Sequence, residues 1–224
     1  MYRGMSEADR LHNRHERSRL VAAPPEDLCL VFANSRSWRT SDQPVEKLHA
    51  FADLMAWCQT AKALDPASAA QLRQWAQHSG RVAAGLFDEA IATRETIYRL
   101  FSATAVNTEP AVADVEILNQ LLARTPGRAA VTLTAAGNRW RLPPAAPAVA
   151  SLLAPVIWSA GDLLTGERLA RVRLCANEKC SWLFLDDSKA GTRRWCAMRA
   201  CGNRAKAHRH YLRKTKSAHA QTPQ

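Results

Sequence analysis

Four cysteines near the end of this chain constrain it more than any other feature. Cys175 and Cys180 form one Cys-x-x-x-x-Cys pair, fifteen residues follow, and Cys196 and Cys201 form a second pair with the same gap. Zinc takes four soft ligands in a tetrahedron at ~2.3 Å, and paired cysteines on two turns deliver them. The four-residue gap lies at the wide end of the usual range and implies roomier turns than a tight knuckle. Disulfides are the first alternative, but they require an oxidising compartment. The first nineteen residues are polar and rich in Arg and His, with no apolar segment of the kind a secretory signal needs. A cytoplasmic chain with reduced thiols is therefore expected. Iron–sulfur clusters are the second alternative, and their cysteine spacings usually differ. The expectation is one structural Zn²⁺, because four thiolates close the shell and leave no position for water.

The residues around the pairs fit a small metal-built module. Trp182-Leu183-Phe184-Leu185 reads as a strand, Asp186-Asp187-Ser188 as turn chemistry, and Thr192 to Trp195 as the return to the second pair. Four thiolates and one Zn²⁺ sum to a negative centre, so nearby Arg and Lys favour the deprotonated ligands. After Cys201 a helix is expected. Spacing residues at ~100° puts Ala205, Ala207, His208, Tyr211 and Leu212 on one face. Lys206, Arg209, His210, Arg213, Lys214 and Lys216 fall on the other. Arg204 falls on the inner side beside Tyr211, where it would brace the module against Asp186 or Asp187. His208 and His210 are read as packing and surface residues, since four cysteines already fill the metal shell.

Charge is divided unevenly along the chain. Residues 171–224 hold 13 Lys and Arg against 3 Asp and Glu, a net +10, whereas the other 170 residues hold 18 against 17, a net +1. A near-neutral body carrying a strongly basic end suggests a polyanion-binding module attached to something else. The plainer reading is a basic end that only solubilises. Hydrophobic residues make up 47% and charged residues 23%, the balance of a globular protein. No apolar run approaches the ~20 residues of a membrane span.

The body reads as mostly helical. Residues 1–24 look like a mobile arm ended by Pro24-Pro25. Leu28-Cys29-Leu30-Val31-Phe32 reads as a short strand buried on both faces, with Cys29 a core residue. Pro44 would open a helix capped by Asp42 or Gln43, carrying Leu48, Phe51, Met55 and Cys58. Asp65-Pro66 opens a second helix that stops near Gly80. A long helix spans 82–105 with Leu86, Ala90, Thr93, Ile97 and Phe101 inward, and another spans 111–122. The period then changes to two: residues 130–134 and 138–142 flank Ala135-Ala136-Gly137 as a hairpin. A last apolar helix covers 148–164. The fold class is thus α+β: a mainly helical body with a few strands over 25–166, a zinc finger of β-hairpin plus C-terminal helix over 171–216, and a flexible tail over 217–224.

Cys201-Gly202-Asn203-Arg204 carries the name-giving motif of the CGNR zinc fingers. The stretch from Arg194 to Lys206 resembles their signature, and Phe184-Leu185-Asp186-Asp187-Ser188 fits it too. Upstream, residues 28–35 resemble the opening of the ABATE-type domain that usually precedes this finger, although Thr is common there where Ser35 stands and an acidic residue where Val31 stands. The resemblance implies a stress-induced transcription regulator.

Three function classes follow. In the first, a zinc-stabilised module presents a basic helix to DNA. Lys206, Arg209, Arg213 and Lys214 would contact phosphate with help from Arg193 and Arg194, while the body senses a ligand or partner. In the second, the finger is a scaffold for an acidic protein or RNA. Stacking aromatics on the basic face would favour single strands, but Tyr211 is expected to point inward. The third, an enzyme, is not expected: there is no Gly-x-Ser-x-Gly, no His-Glu-x-x-His and no close carboxylate cluster, and His49 and His78 lie on ordinary helices. Arg94 projects within the apolar stripe of the long helix and must find a partner. That partner is either a carboxylate of the chain or a small anionic ligand in a pocket to which Asn34 adds a polar contact. The target DNA and the oligomeric state are not legible in the sequence.

Overall fold

The structure, a computed structural model, describes residues 18–207 except 136, together with 211. Its centre is a long helix, α4 (Gly80–Ala105). Around it pack α1 (Leu28–Ala33), α2 (Phe51–Thr60), α3 (Pro66–His78), α5 (Val112–Arg124) and α6 (Val149–Leu152), and α7 (Ala154–Thr165) packs on α1, α5 and α6. The inward stripe of α4 includes Leu86, Ala90, Ile97 and Phe101, at helical spacing. Helix α3 starts as expected: Asp65 accepts the Ser68 N–H at 2.9 Å, and Pro66 occupies the first turn.

Several local expectations fail for identifiable reasons. The run from Leu28 is helix α1, not a strand. Leu28, Cys29, Leu30, Phe32 and Ala33 are buried while Val31 is 47% exposed. Short apolar runs do not reveal their period, and only the packing of α1 against α4 and α7 decides it. Helix α2 begins at Phe51 and not at Pro44. The Asp53 carboxylate accepts the N–H groups of His49 and Ala50 at 2.8 and 3.1 Å, which sets the start. Before it, β3 (Val45–Glu46) pairs with β2 (Arg36–Ser37). The stop expected near Gly80 is met, with α3 ending at His78 and Ser79 as its C-cap, but α4 starts at once at Gly80 and not at 82. The last helix is split at Leu153, ahead of Pro155, which has no N–H to continue a ladder.

The expected hairpin is present as β4 (Val131–Thr132) and β5 (Arg139–Leu142). Its third strand comes from the segment read as a mobile arm. There β1 (Arg19–Val21) pairs antiparallel with β5, and Val21 packs with Leu142, Ala154 and Trp158. Residues 1–17 of that arm and 217–224 of the tail lie outside the described residues. No described helix is long and apolar enough to cross a membrane.

The cysteine-bearing end is not a separate bead. Its hairpin, β6 (Val172–Leu174) and β7 (Leu183–Leu185), is antiparallel with Leu174 opposite Leu183. Val172, Leu183 and Leu185 belong to the same buried cluster as the cores of α1, α4 and α7. The body's hydrophobic core therefore extends into the finger.

Candidate functional site

Hairpin β6–β7 places the first cysteine pair. Cys175 follows β6 directly, and its N–H donates to the Trp182 carbonyl at 2.8 Å. Cys180 lies in the turn between the strands, where Ser181 takes a left-handed backbone with φ 52°. The second pair returns alongside: the Ala176 N–H donates to the Arg194 carbonyl at 2.9 Å. Cys201 ends in a π-type turn, Met198–Gly202, that leads into helical residues 203–207.

All four Sγ atoms lie within 4.8 Å of one another. Cys180 and Cys196 are 3.7 Å apart and Cys196 and Cys201 are 3.8 Å apart. A tetrahedron with ~2.3 Å zinc–sulfur bonds has edges of ~3.8 Å, so the thiols stand at the spacing of a four-thiolate shell. Cys175, Cys180, Cys196 and Cys201 thus form a structural site for one zinc ion. Asn177 Nδ2 reaches Cys201 Sγ at 3.5 Å, a donor to a ligand sulfur. The thiols cannot all ionise without a cation. Cys175 is held far below an ordinary thiol by hydrogen bonds from Cys180 and Cys196. Cys196 is pushed up to about 12, first because it donates to Cys175. Metal binding therefore releases protons. Cys29 and Cys58, by contrast, are pushed up to about 12 by burial in the body and remain inert thiols.

The Cys-Gly-Asn-Arg motif is explained residue by residue. A Cβ on Gly202 would run into Met198 Sδ and lie 3.3 Å from Trp195, so a side chain there would push the exposed Met198 aside and press on Trp195. Asn203 Nδ2 donates to the Arg199 carbonyl at 3.4 Å. Arg204 does brace the module, but not against Asp186 or Asp187. Its guanidinium stacks 4.5 Å over the ring of Trp38, a body residue packed on the buried cluster of Cys175, Cys180, Phe184 and Cys201. Asp186 is instead buried within the finger, accepting from Ser188 Oγ at 2.5 Å and from the Arg193 N–H at 2.8 Å. Hydrogen bonding by Ser188 holds its carboxyl below the usual range. Asp187 pairs with Arg168.

The residues assigned to phosphate divide. Arg193 is spent on the fold: its Nε donates to the Trp195 carbonyl at 2.8 Å, its Nη2 donates to the Cys196 carbonyl, and the group lies 4.6 Å over Phe184. Arg194 and Lys206 are exposed, as is Arg199, which the sequence reading passed over. Arg209, Arg213 and Lys214 lie outside the described residues, as do His208, His210 and Leu212. Tyr211 is 64% exposed and does not point inward.

Asn34 and Arg94 do not form a ligand pocket. Asn34 ends α1 and reads the finger as a neighbouring strand would: its Nδ2 donates to the Leu183 carbonyl at 2.7 Å and its Oδ1 accepts the Leu183 N–H at 3.1 Å. Arg94, 1% exposed, spends every donor inside the chain. Nη1 meets Glu46 at 2.6 Å and Ser35 Oγ at 3.2 Å. Nη2 meets Glu46 at 2.7 Å and Glu95 at 2.8 Å, and Nε meets Glu95 at 2.9 Å. The internal ion pair holds, and no donor remains for an anion.

That ion pair is the start of a longer polar chain. Glu95 also takes Arg39 at 2.6 Å, and Arg39 lies 3.8 Å over the Tyr98 ring. Tyr98 Oη then donates to the Ser181 carbonyl at 3.0 Å, next to the ligand Cys180. Thr40 adds a contact to Ser181 Oγ at 3.0 Å, and Trp38 sits in a left-handed backbone at φ 53° to reach the finger. An arginine in an apolar helix stripe announced that an anionic partner was needed, from the chain or from a ligand. Only the fold could say that Glu46, far along the chain, supplies it.

Two family models match. One, ABATE, is described as "Putative stress-induced transcription regulator" and covers residues 26–167; the other, CGNR zinc finger, covers 171–214. No curated protein matches.

Proposed function

The chain belongs to the ABATE family and ends in a CGNR zinc finger, and from that premise we propose that it is a DNA-binding transcription regulator of the cytoplasm with no catalytic step. The observation that carries the reading is the zinc site itself. A four-thiolate shell does no chemistry, so its use is to hold a small surface rigid. That surface carries the exposed Arg194, Arg199 and Lys206 at the start of the strongly basic end of the chain. Arg209, Arg213 and Lys214 extend the same charge in sequence. Cationic side chains on a fixed frame suit phosphate contact and release of counterions. In this reading the body is a sensor. The shared core and the chain from Glu46 to Ser181 supply a route by which its state biases the finger.

The test is unbiased selection of bound duplex DNA by the zinc-loaded full chain at two salt concentrations. An enriched sequence whose affinity falls steeply with salt supports the reading. Equal recovery of all sequences with no salt dependence refutes it. A second reading, a binder of single-stranded RNA, has one observation behind it: Tyr211 is 64% exposed within a stretch of sequence rich in Lys and Arg. Competition by single-stranded RNA that is lost in Tyr211→Ala would favour it over duplex DNA.

A further inference from the structure

We propose that Arg204, held over the ring of the body residue Trp38, reads a guanine edge in duplex DNA and is a specificity-determining residue of the finger. The inference deepens the DNA-binding reading given above and rests on it.

Among the described residues three arginines of the finger lie over aromatic rings, and what each does with its donors separates them. Arg193, 4.6 Å over Phe184, gives Nε and Nη2 to the Trp195 and Cys196 carbonyls. Arg194 lies 5.5 Å from the centre of the Trp195 ring, a looser hold. Arg204 lies 4.5 Å over Trp38, and among the described residues its guanidinium meets no hydrogen-bond acceptor and no carboxylate. The residue is exposed, so those donors open to solvent. A guanidinium carries five N–H donors in a planar fork. A ring beneath it takes away freedom without using any of them, which prepares the group for bidentate recognition.

The platform under Arg204 is strained. Trp38 has φ 53°, a left-handed backbone that a bulky side chain seldom adopts. The turn around it is held firmly. The Trp38 carbonyl accepts from the Ser41 N–H at 3.0 Å and from Ser41 Oγ at 2.9 Å. Next in the chain, Arg39 pairs with Glu95 at 2.6 Å, and Thr40 Oγ1 meets Ser181 Oγ at 3.0 Å. Backbone strain persists where the surroundings over-determine it, and it gathers at functional sites. What this strain places is the indole beneath Arg204. The body thereby contributes a positioning residue to the interface of the finger.

Position and chemistry favour a base edge over a phosphate. Arg204 stands at the start of the helical residues 203–207, ahead of Lys206, and side chains at the start of a recognition helix are those that reach base edges. Exposed Arg194, Arg199 and Lys206 already supply charge for phosphates, a contact that carries no sequence information. A pre-set fork matches the O6 and N7 acceptors of guanine in the major groove, where two hydrogen bonds tell it from the other bases.

The test is selection of bound duplex DNA by the zinc-loaded full chain. Affinity for the selected site is then measured with 7-deazaguanine, which lacks the N7 acceptor, at each guanine in turn. One guanine is expected to be required, and its deaza replacement should weaken binding about tenfold, the discrimination of one bidentate pair. Arg204→Lys keeps a cation over Trp38 but has no fork. It should bind the natural and deaza sites alike and accept other bases at that position, with zinc release and Tm near those of the parent. Trp38→Leu, which leaves Arg204 in place but removes its platform, should relax the preference at the same guanine; it decides the matter if the lysine variant loses zinc. No sensitive guanine, or one that both variants still read in full, overturns the proposal. So does a uniform loss of affinity for all sequences in Arg204→Lys, the mark of a phosphate contact or of a brace alone. Those results alongside salt-dependent selection of a duplex site fault Arg204 only. Recovery of no duplex site, or preference for single-stranded RNA, faults the DNA-binding reading and this proposal with it.

Discussion

Removing the Asn34 side chain tests whether the finger and body are energetically one unit. Asn34→Ala deletes two hydrogen bonds to Leu183, at 2.7 and 3.1 Å. Leu183 is 1% exposed, so its N–H and carbonyl cannot simply turn to water. Leaving a buried group unsatisfied costs about 1–3 kcal/mol, so a loss of roughly 3 kcal/mol is expected for the two together. Unfolding entropy of ~2.1 cal/mol/K per residue over the roughly 190 described residues converts that to a Tm lower by ~7 °C. Asn34→Asp should be worse. It keeps an acceptor for the N–H but sets a carboxylate against the Leu183 carbonyl. The assay is thermal unfolding of the zinc-loaded chain, paired with the rate of zinc release to a chromogenic chelator. Release should quicken, because Leu183 lies on the strand that follows the Cys175–Cys180 turn. If Asn34→Ala melts within ~1 °C of the parent and releases zinc at the same rate, the finger is merely tethered and the reasoning fails.

Three further outcomes are expected. Cys201→Ser should lose zinc by metal analysis and lower the stability of the whole chain, not only of residues 171–216, because Val172, Leu183 and Leu185 are part of the body's core; a body transition unchanged in differential scanning calorimetry would contradict this. Glu46→Gln should cost about 1–3 kcal/mol in urea unfolding, since it removes one of the two carboxylates that satisfy buried Arg94 and leaves Glu95 in place. The same site governs acid behaviour: burial alone would raise the carboxyls of Glu46 and Glu95, but hydrogen bonds from Arg94 to Glu46 and from Arg39 to Glu95 lead the effects that bring both below the ordinary range. Their stabilisation is therefore complete above the ordinary glutamate pKa of ~4.3 and is lost as pH falls through the depressed folded values, so the acid limb of the stability curve should flatten in Glu46→Gln. Finally, Arg194→Ala, Arg199→Ala and Lys206→Ala should each lower the salt slope of DNA binding by roughly one unit without changing zinc release, whereas Arg193→Ala should speed zinc release, because it supports the Trp195 and Cys196 carbonyls.

The metal centre was legible because its chemistry is carried by residue type and spacing. Four thiols in two pairs admit few partners, and a glycine directly after the last ligand marks a close turn. The helices α3, α4 and α5 and the β4–β5 hairpin were legible because each carries its own period, cap or turn. What stayed hidden depends on residues brought together from afar. A five-residue apolar run has no readable period, so α1 became a helix only by packing on α4 and α7. The strand β1 exists only because β5 has an edge to offer. Arg94 required a carboxylate on grounds of burial alone, and the choice of Glu46 and Glu95 over a ligand was made by tertiary placement. Arg204 required a partner and found Trp38, across the boundary between finger and body. Sequence sets which groups must be satisfied, since hydrogen-bonding capacity and charge belong to the residue. The folded chain decides by what, because distance and solvent exclusion belong to the whole.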